Sequence, residues 1–217
     1  MVANRTDTSP GRPLVYVTDD ELSVREALGN LLQSIGLQVE LFGNAATMLD
    51  AAAADRANCL VLDVRLPGIS GLEVQQRLLQ LNVAVPVIFM TGHADIPMTV
   101  RAMKAGAVDF LTKPFRDQDM LDAVTAAVAR DRERRVGLAL TAAVRGRFET
   151  LTSRERQVMG LVTRGLMNKQ VAGELGLSEV TVKAYRGQVM RKMEVPSLAE
   201  LVRCAELLGL EGGSSRP

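Results

Sequence analysis

Residues 59–63, Cys-Leu-Val-Leu-Asp, form a short apolar run that ends on a carboxylate. Four mostly apolar runs of similar length lie before and after it, at Leu14–Thr18, Leu37–Leu41, Pro86–Thr91 and Val108–Thr112. Short, β-branched runs of this kind are typical of parallel strands that are buried on both faces. They predict a five-stranded parallel sheet in the first part of the chain.

Amphipathic stretches separate these runs, at about 21–35, 45–53, 71–80 and 96–105. Strands that alternate with helices predict an α/β fold with a doubly wound parallel sheet. In such a sheet the carboxyl ends of the strands meet at one crevice, where ligands bind. We therefore expect functional side chains at the ends of the strands.

The composition excludes several classes of protein. The chain has 217 residues, of which 47% are hydrophobic and 24% charged, as in ordinary globular proteins. The longest apolar run, Val83–Met90, is too short to cross a bilayer, so no membrane is expected as a partner. Cys59 and Cys204 lie far apart in apolar segments, which favours a reducing, cytoplasmic location over a disulfide framework. A single histidine, His93, excludes a His/Cys zinc site.

A second domain is indicated after Phe115, where strand signals stop. The stretch 117–148 is predicted to be helical, with weak points at Gly137 and Gly146 where it can break. From the predicted capping box of Thr152 and Glu155 onward, helices are expected near 168–175, 179–193 and 198–208. Residues 1–130 hold 11 basic and 15 acidic side chains, whereas residues 131–217 hold 15 and 10. The basic excess favours a polyanion as partner of this all-α part.

Three carboxylates are expected to meet at the crevice of the sheet. Asp19 and Asp20 follow the first strand, and Asp63 ends the third. Because like charges raise one another's pKa values, such a group is costly unless a cation binds, and hard oxygen ligands suit Mg²⁺. Asp20 can also be interpreted as the N-cap of the first helix.

Two further polar side chains end neighbouring strands. Thr91 ends the fourth strand and Lys113 follows the fifth. A hydroxyl, an ammonium and a magnesium ion around one carboxylate would form a cradle for a transferred phosphoryl group.

The predicted helices 168–175 and 179–193 are separated by a tight turn, with Gly176 as breaker and Ser178 as N-cap. A helical wheel for the second helix gathers Val182, Val189 and Met193 on one side. The opposite arc carries small and basic side chains: Lys183, Ala184, Gly187, Gln188 and Arg191. This arrangement predicts a helix-turn-helix that binds DNA, the alternative being a helical hairpin with a solvated basic face.

Four segments of the first domain resemble those of two-component receiver domains: VTDDE at 17–21, LDVRLPG at 62–68, MTGH at 90–93 and AVDFLTKPF at 107–115. The resemblance implies that a sensor histidine kinase phosphorylates Asp63. It also implies an Mg²⁺ site formed by Asp19, Asp20, Asp63 and the backbone carbonyl of Arg65.

In the same family Thr91 and Lys113 would bind the phosphoryl oxygens, and Thr91 and Phe110 would form the conformational switch. The bond between Lys113 and Pro114 is expected to be cis.

Two segments of the second domain, LTSRERQV at 151–158 and EVTVK at 179–183, resemble the LuxR-type DNA-binding domain. Together the two domains resemble a response regulator of the FixJ/NarL type. The resemblance implies DNA contacts from Thr181, Lys183, Arg186 and Gln188. Lys192, which lies towards one rim of the basic arc on the wheel, is also expected to contact DNA. The last helix resembles the family's dimerisation helix, although its apolar stripe (Leu198, Leu201, Val202, Ala205 and Leu208) can equally be core.

We predict a disordered leader at 1–13, a receiver domain at 14–128, a helical linker at 129–148, a LuxR-type helix-turn-helix domain at 149–210 and a disordered tail at 211–217. The expected function is a phosphorylation-activated transcriptional regulator and not an enzyme. Its expected partners are a sensor histidine kinase, double-stranded promoter DNA, a second copy of the chain and RNA polymerase.

Three alternatives remain at this point. The first is a dimeric DNA-binding regulator that does not depend on phosphorylation. The second is an aspartate-based phosphatase, and the third is a regulator gated by a small autoinducer.

Overall fold

The computed structural model describes residues 11–53, 55–93 and 96–210. It divides between Arg134 and Arg135 into two compact units. The predicted leader and tail lie largely or wholly outside the described residues, and their disorder stays a prediction.

The first unit is built on a parallel sheet of five strands, β1 (Leu14–Thr18), β2 (Gln38–Phe42), β3 (Cys59–Asp63), β6 (Val87–Thr91) and β7 (Asp109–Thr112). Their order in the sheet is β2-β1-β3-β6-β7. The connecting helices are α1 (Leu22–Ser34), α2 (Ala45–Ala52), α3 (Gly71–Gln80) and α4 (Ile96–Lys104), followed by α5 (Asp117–Glu149). The predicted α/β fold with a doubly wound parallel sheet is confirmed.

Each strand sends alternate side chains to opposite faces of the sheet, so both faces carry a hydrophobic core. On one face Tyr16 and Phe89 pack with residues of α2, α3 and α4. On the other face Val17 and Ile88 pack with residues of α1 and α5.

The bounds of three strands, and one hairpin, differ from the sequence predictions, and two of these strands, β6 and β7, each begin one residue later than predicted. Strand β2 lies one residue later than predicted, because Phe42 pairs with Thr18 in the ladder and its ring packs edge-on against Tyr16, with 4.9 Å between centroids. A small antiparallel hairpin, β4 (Arg65–Leu66) and β5 (Ile69–Ser70), was not predicted. Its turn contains Gly68 at a φ of 83°, a conformation that favours glycine.

A buried polar network holds α5 against the start of the sheet. Asp131 is fully buried and accepts hydrogen bonds from Asn58 Nδ2 at 2.8 Å and from Arg134 Nη2 at 2.7 Å. Asn58 Oδ1 in turn accepts from the backbone N–H of Leu14 at 2.8 Å. Helix α5 continues without a break through Gly137 and Gly146 to Glu149, so neither predicted weak point ends it.

The second unit consists of the last part of α5 with α6 (Ser153–Thr163), α7 (Asn168–Leu175), α8 (Glu179–Met193) and α9 (Leu198–Leu207). The predicted capping box is confirmed, since Thr152 Oγ1 accepts from the N–H of Glu155 and Glu155 Oε2 accepts from the N–H of Thr152. Leu201 and Ala205 of the apolar α9 stripe lie in the core of this unit. Leu198, at the start of the stripe, is 38% exposed.

Candidate functional site

Three carboxylates lie together at the carboxyl ends of the adjacent strands β1 and β3. Each of Asp19, Asp20 and Asp63 offers an oxygen within 4.8 Å of those of the other two. Asp19 and Asp63 are buried, whereas Asp20 is exposed. Asp20 does not cap α1, because the N-cap residue of that helix is Glu21, whose side chain forms no cap hydrogen bond. The N–H of Glu21 instead donates to Asp19 Oδ1 at 2.9 Å.

Lys113 bridges two of these carboxylates. Its Nζ lies 2.5 Å from Asp19 Oδ2 and 2.6 Å from Asp63 Oδ2, and its backbone N–H donates to the carbonyl of Thr91 at 2.8 Å. Burial lowers the pKa of the Lys113 ammonium, but the hydrogen bonds and charges of Asp19 and Asp63 outweigh this effect and the pKa is raised. The lysine therefore stays cationic beside both carboxylates. The bond between Lys113 and Pro114 is cis, as expected.

Asp63 is fixed by the backbone that surrounds it. Its Oδ1 accepts from the N–H of Arg65 at 2.8 Å, so its Oδ2 faces Lys113. A Cβ added at Gly71, the first residue of α3, would lie 2.6 Å from the carbonyl oxygen of Asp63. Glycine is therefore required where α3 approaches β3, a role that the sequence alone does not reveal.

Arg25 of α1 also belongs to this site and was not predicted. Its Nη1 donates to the carbonyl of Asp19 at 2.6 Å and to that of Asp20 at 2.9 Å. A Cβ at Gly43 would lie 3.4 Å from the same nitrogen, so the glycine leaves room for the guanidinium. Arg25 holds the loop that carries two of the three carboxylates.

Thr91 and Phe110 lie on the neighbouring strands β6 and β7. The Thr91 side chain is fully buried, and its Oγ1 accepts from the N–H of His93 at 3.3 Å. Phe110 is half-buried, and its ring centroid lies 6.2 Å from that of Phe89. Thr91 thus brings a buried hydroxyl to the edge of the sheet that carries the carboxylates, whereas Phe110 lies two residues before the end of β7 and packs against the core.

The donor set suits magnesium. Three carboxylates supply hard, anionic oxygens, and exposed Asp20 leaves one side of the group open to water and to a phosphoryl oxygen. These are the residues that could hold a divalent ion.

The five side chains predicted to contact DNA divide into two groups. Lys183 and Gln188 are exposed on α8. The other three have partners within the second unit. Thr181 Oγ1 lies 2.8 Å from Ser178 Oγ, Arg186 Nη1 donates to Asn168 Oδ1 at 2.6 Å, and Lys192 Nζ lies 2.7 Å from Glu155 Oε2.

Comparison with known families assigns both units. Residues 15–125 match the response regulator receiver domain, and residues 149–205 match the bacterial regulatory proteins of the luxR family. The chain belongs to the two-component response-regulator family. This response regulator carries a LuxR-type DNA-binding domain after its receiver domain, as predicted.

Relatives and solved structures align with nearly the whole response regulator. It is 58% identical to nodulation protein W of Bradyrhizobium diazoefficiens over 199 residues, which cover 92% of this chain and 88% of that protein. It is 46% identical to the transcriptional regulatory protein FixJ of Azorhizobium caulinodans over 196 residues, with 90% and 93% covered.

The solved structure of the response regulator StyR matches with a TM-score of 0.79 and 50% identity, covering 90% of this chain and 99% of that one. Full-length FixJ from B. japonicum matches with a TM-score of 0.56 and 40% identity over 91% and 98% of the two chains. Among the described residues of this response regulator, no helix has both the length and the apolar character needed to span a bilayer.

Proposed function

We propose that Asp63 accepts a phosphoryl group from the phosphohistidine of a sensor histidine kinase, and that this modification controls promoter binding. The observation that carries the proposal is the bridge from Lys113 to Asp19 and Asp63, at 2.5 and 2.6 Å, with the Thr91 hydroxyl on the neighbouring strand. A lysine that contacts the acceptor carboxylate is already positioned to bind the charge that arrives on it.

The reaction is a displacement at phosphorus. Asp63 Oδ2 forms the new O–P bond as the N–P bond to the kinase imidazole breaks, and the imidazole leaves with the bonding electron pair. Asp19, Asp20, Asp63 and the carbonyl of Arg65 would hold Mg²⁺, which supplies charge neutralisation for the phosphoryl oxygens when bound. Lys113 and Thr91 then contact those oxygens.

The phosphorylated state is read by the switch pair. The Thr91 hydroxyl moves toward the phosphoryl group, and Phe110 moves into the space that this opens. Helix α4 exposes a stripe of three apolar side chains. Ile96 is 81% exposed, Val100 is 43% exposed and Met103 is 44% exposed. This stripe supports a second copy of the chain as the partner that binds on activation.

A dimer would present two α8 helices to DNA half-sites about one helical turn apart. The exposed Lys183 and Gln188 are the side chains of α8 that we propose contact the bases. RNA polymerase is the expected partner at the promoter. Promoter DNA and RNA polymerase as partners support a cytoplasmic location. The proposed role is therefore to control DNA binding through phosphorylation, and not to turn over a small phosphoester.

The test is promoter binding as a function of phosphorylation. The full chain, with and without acetyl phosphate and Mg²⁺, is used to select duplexes from a random pool and to measure their Kd values. We expect the phosphodonor to tighten binding for the natural chain and for Asp50→Asn, an exposed carboxylate of α2, but not for Asp63→Asn. Equal binding by all three under both conditions would favour a dimeric regulator that does not depend on phosphorylation.

A further inference from the structure

Helix α8 exposes a hydrophobic side chain, Val180, which lies in the first turn and at the middle of the outward arc of the helical wheel. Val180 is 79% exposed, although its neighbour Val182 is fully buried. At about 100° per residue, Val180 lies roughly 180° around the helix from Val189, a fully buried core residue. The core of the second unit therefore does not cover Val180, and its side chain points away from that core.

The exposed residues that share this face are small, cationic or neutral and polar, and none of them is acidic. Within about 80° of Val180 on the wheel lie the exposed residues Lys183, Ala184, Gly187, Gln188 and Arg191. The acidic residue of the first turn, Glu179, lies about 100° away. The face thus combines two cations with an apolar centre and suits a polyanion that also offers an apolar group.

Gly187 gives an independent indication of a close partner. A glycine inside a helix destabilises it relative to alanine. A Cβ at Gly187 would meet no atom within 4 Å, so packing within the unit does not require glycine there. Its small size leaves space on the exposed face for a partner that approaches the helix backbone.

We propose that Val180 contacts the 5-methyl group of a thymine in the major groove of the operator. This inference rests on the proposed entry of α8 into that groove. Among the base edges of the major groove, the thymine methyl is the apolar group, whereas the others are hydrogen-bond donors or acceptors. Val180 is therefore a specificity-determining residue, one helical turn before Lys183 and Ala184 on the same face.

The experiment removes the methyl group from one base at a time. Full-length protein with acetyl phosphate and Mg²⁺ selects duplexes from a random pool, and each thymine of an enriched half-site is then replaced by deoxyuridine. For the natural chain, one thymine per half-site should show about a fourfold rise in Kd, the effect of one buried methyl-sized group. The variant Val180→Ala should bind the thymine and deoxyuridine duplexes equally.

Two further variants keep the result interpretable. Leu207→Ala removes a 42% exposed side chain of α9 and should retain the full thymine effect. Gly187→Ala should raise thermal stability and weaken binding of every enriched duplex.

The outcomes separate this inference from the function on which it rests. If duplexes are enriched but no thymine shows the effect, or if Val180→Ala keeps it unchanged, the inference is wrong and DNA binding stands. If no duplex is enriched under any condition, both the DNA-binding function and the inference are wrong.

Discussion

Lys192 Nζ lies 2.7 Å from Glu155 Oε2 and thereby joins the last turn of α8 to the first turn of α6. Glu155 is 2% exposed and also accepts the N–H of Thr152 at 2.7 Å. A lysine predicted from its position to contact DNA therefore has a partner inside its own unit. Its principal effect should be on the orientation of α8.

Replacing Lys192 by methionine should destabilise the second unit by about 1–3 kcal/mol, because a buried carboxylate loses its cationic partner. Urea denaturation measures this change. The adjacent variant Arg191→Met is the control. Arg191 is exposed on the proposed DNA-binding face, so its loss should leave stability within about 0.5 kcal/mol and weaken DNA binding. If Lys192→Met weakened DNA binding and left the stability unchanged, Lys192 would act on DNA and not on the fold.

Glu155 should make this unit sensitive to acid. Burial raises its pKa, but the hydrogen bonds from Lys192 and Thr152 outweigh burial and the pKa is lowered from its ordinary value of 4.5. The stabilisation is thus complete above the pKa of the unfolded chain and is lost as pH falls through the lower folded value. The free energy of unfolding, measured from neutral pH to about pH 3, should fall less steeply in Glu155→Gln than in the natural chain.

Glu174→Gln, at an exposed position on α7, is the matched control for that pH series and should follow the natural chain. Identical slopes for Glu155→Gln and the natural chain would contradict the assignment.

Gly71→Ala should destabilise the receiver domain by about 1–3 kcal/mol, because overpacking forces the backbone to shift. The added Cβ would lie 2.6 Å from the carbonyl oxygen of Asp63 and 3.1 Å from Val64 Cα, both backbone atoms. Phosphorylation by acetyl phosphate should slow in the same variant. Gly92→Ala, where a Cβ meets no atom within 4 Å, is the control and should keep its stability. A stable Gly71→Ala variant would show that α3 can move away from β3 at little cost.

Arg25→Lys should weaken magnesium binding by about tenfold, within the range found for residues that orient metal ligands. Lysine keeps the charge but cannot reproduce the geometry with which Arg25 Nη1 reaches the carbonyls of Asp19 and Asp20. The apparent affinity follows from the rise in Tm as Mg²⁺ is added. Arg77→Lys, on the exposed side of α3, should behave as the natural chain does. Unchanged magnesium affinity in Arg25→Lys would mean that the site needs only the positive charge at residue 25 and not its hydrogen-bond geometry.

Much of the fold could be predicted because its signals are local. The apolar runs of β1 and β3 and the amphipathic periods of α3, α7 and α8 each lie within a single element. The site carboxylates could also be predicted, since parallel strands bring their carboxyl ends to one edge of the sheet.

The features that escaped prediction depend on contacts between distant or main-chain groups. Lys192 meets Glu155 across 37 positions of sequence, and Arg25 binds carbonyl groups that every residue possesses. The two-residue strands β4 and β5 are too short to show a period. Val180 lies opposite the apolar side of the α8 wheel, but an apolar side chain by itself does not indicate a contact with a ligand.

Chemical labelling tests most directly whether Asp63 is the phosphoryl acceptor. The full chain is incubated with acetyl phosphate and Mg²⁺, reduced with borohydride, which converts an aspartyl phosphate to homoserine, and digested for peptide mass spectrometry. We predict homoserine at residue 63 alone, and none when Mg²⁺ is removed by a chelator. Homoserine at another aspartate, or at no position, would contradict the account.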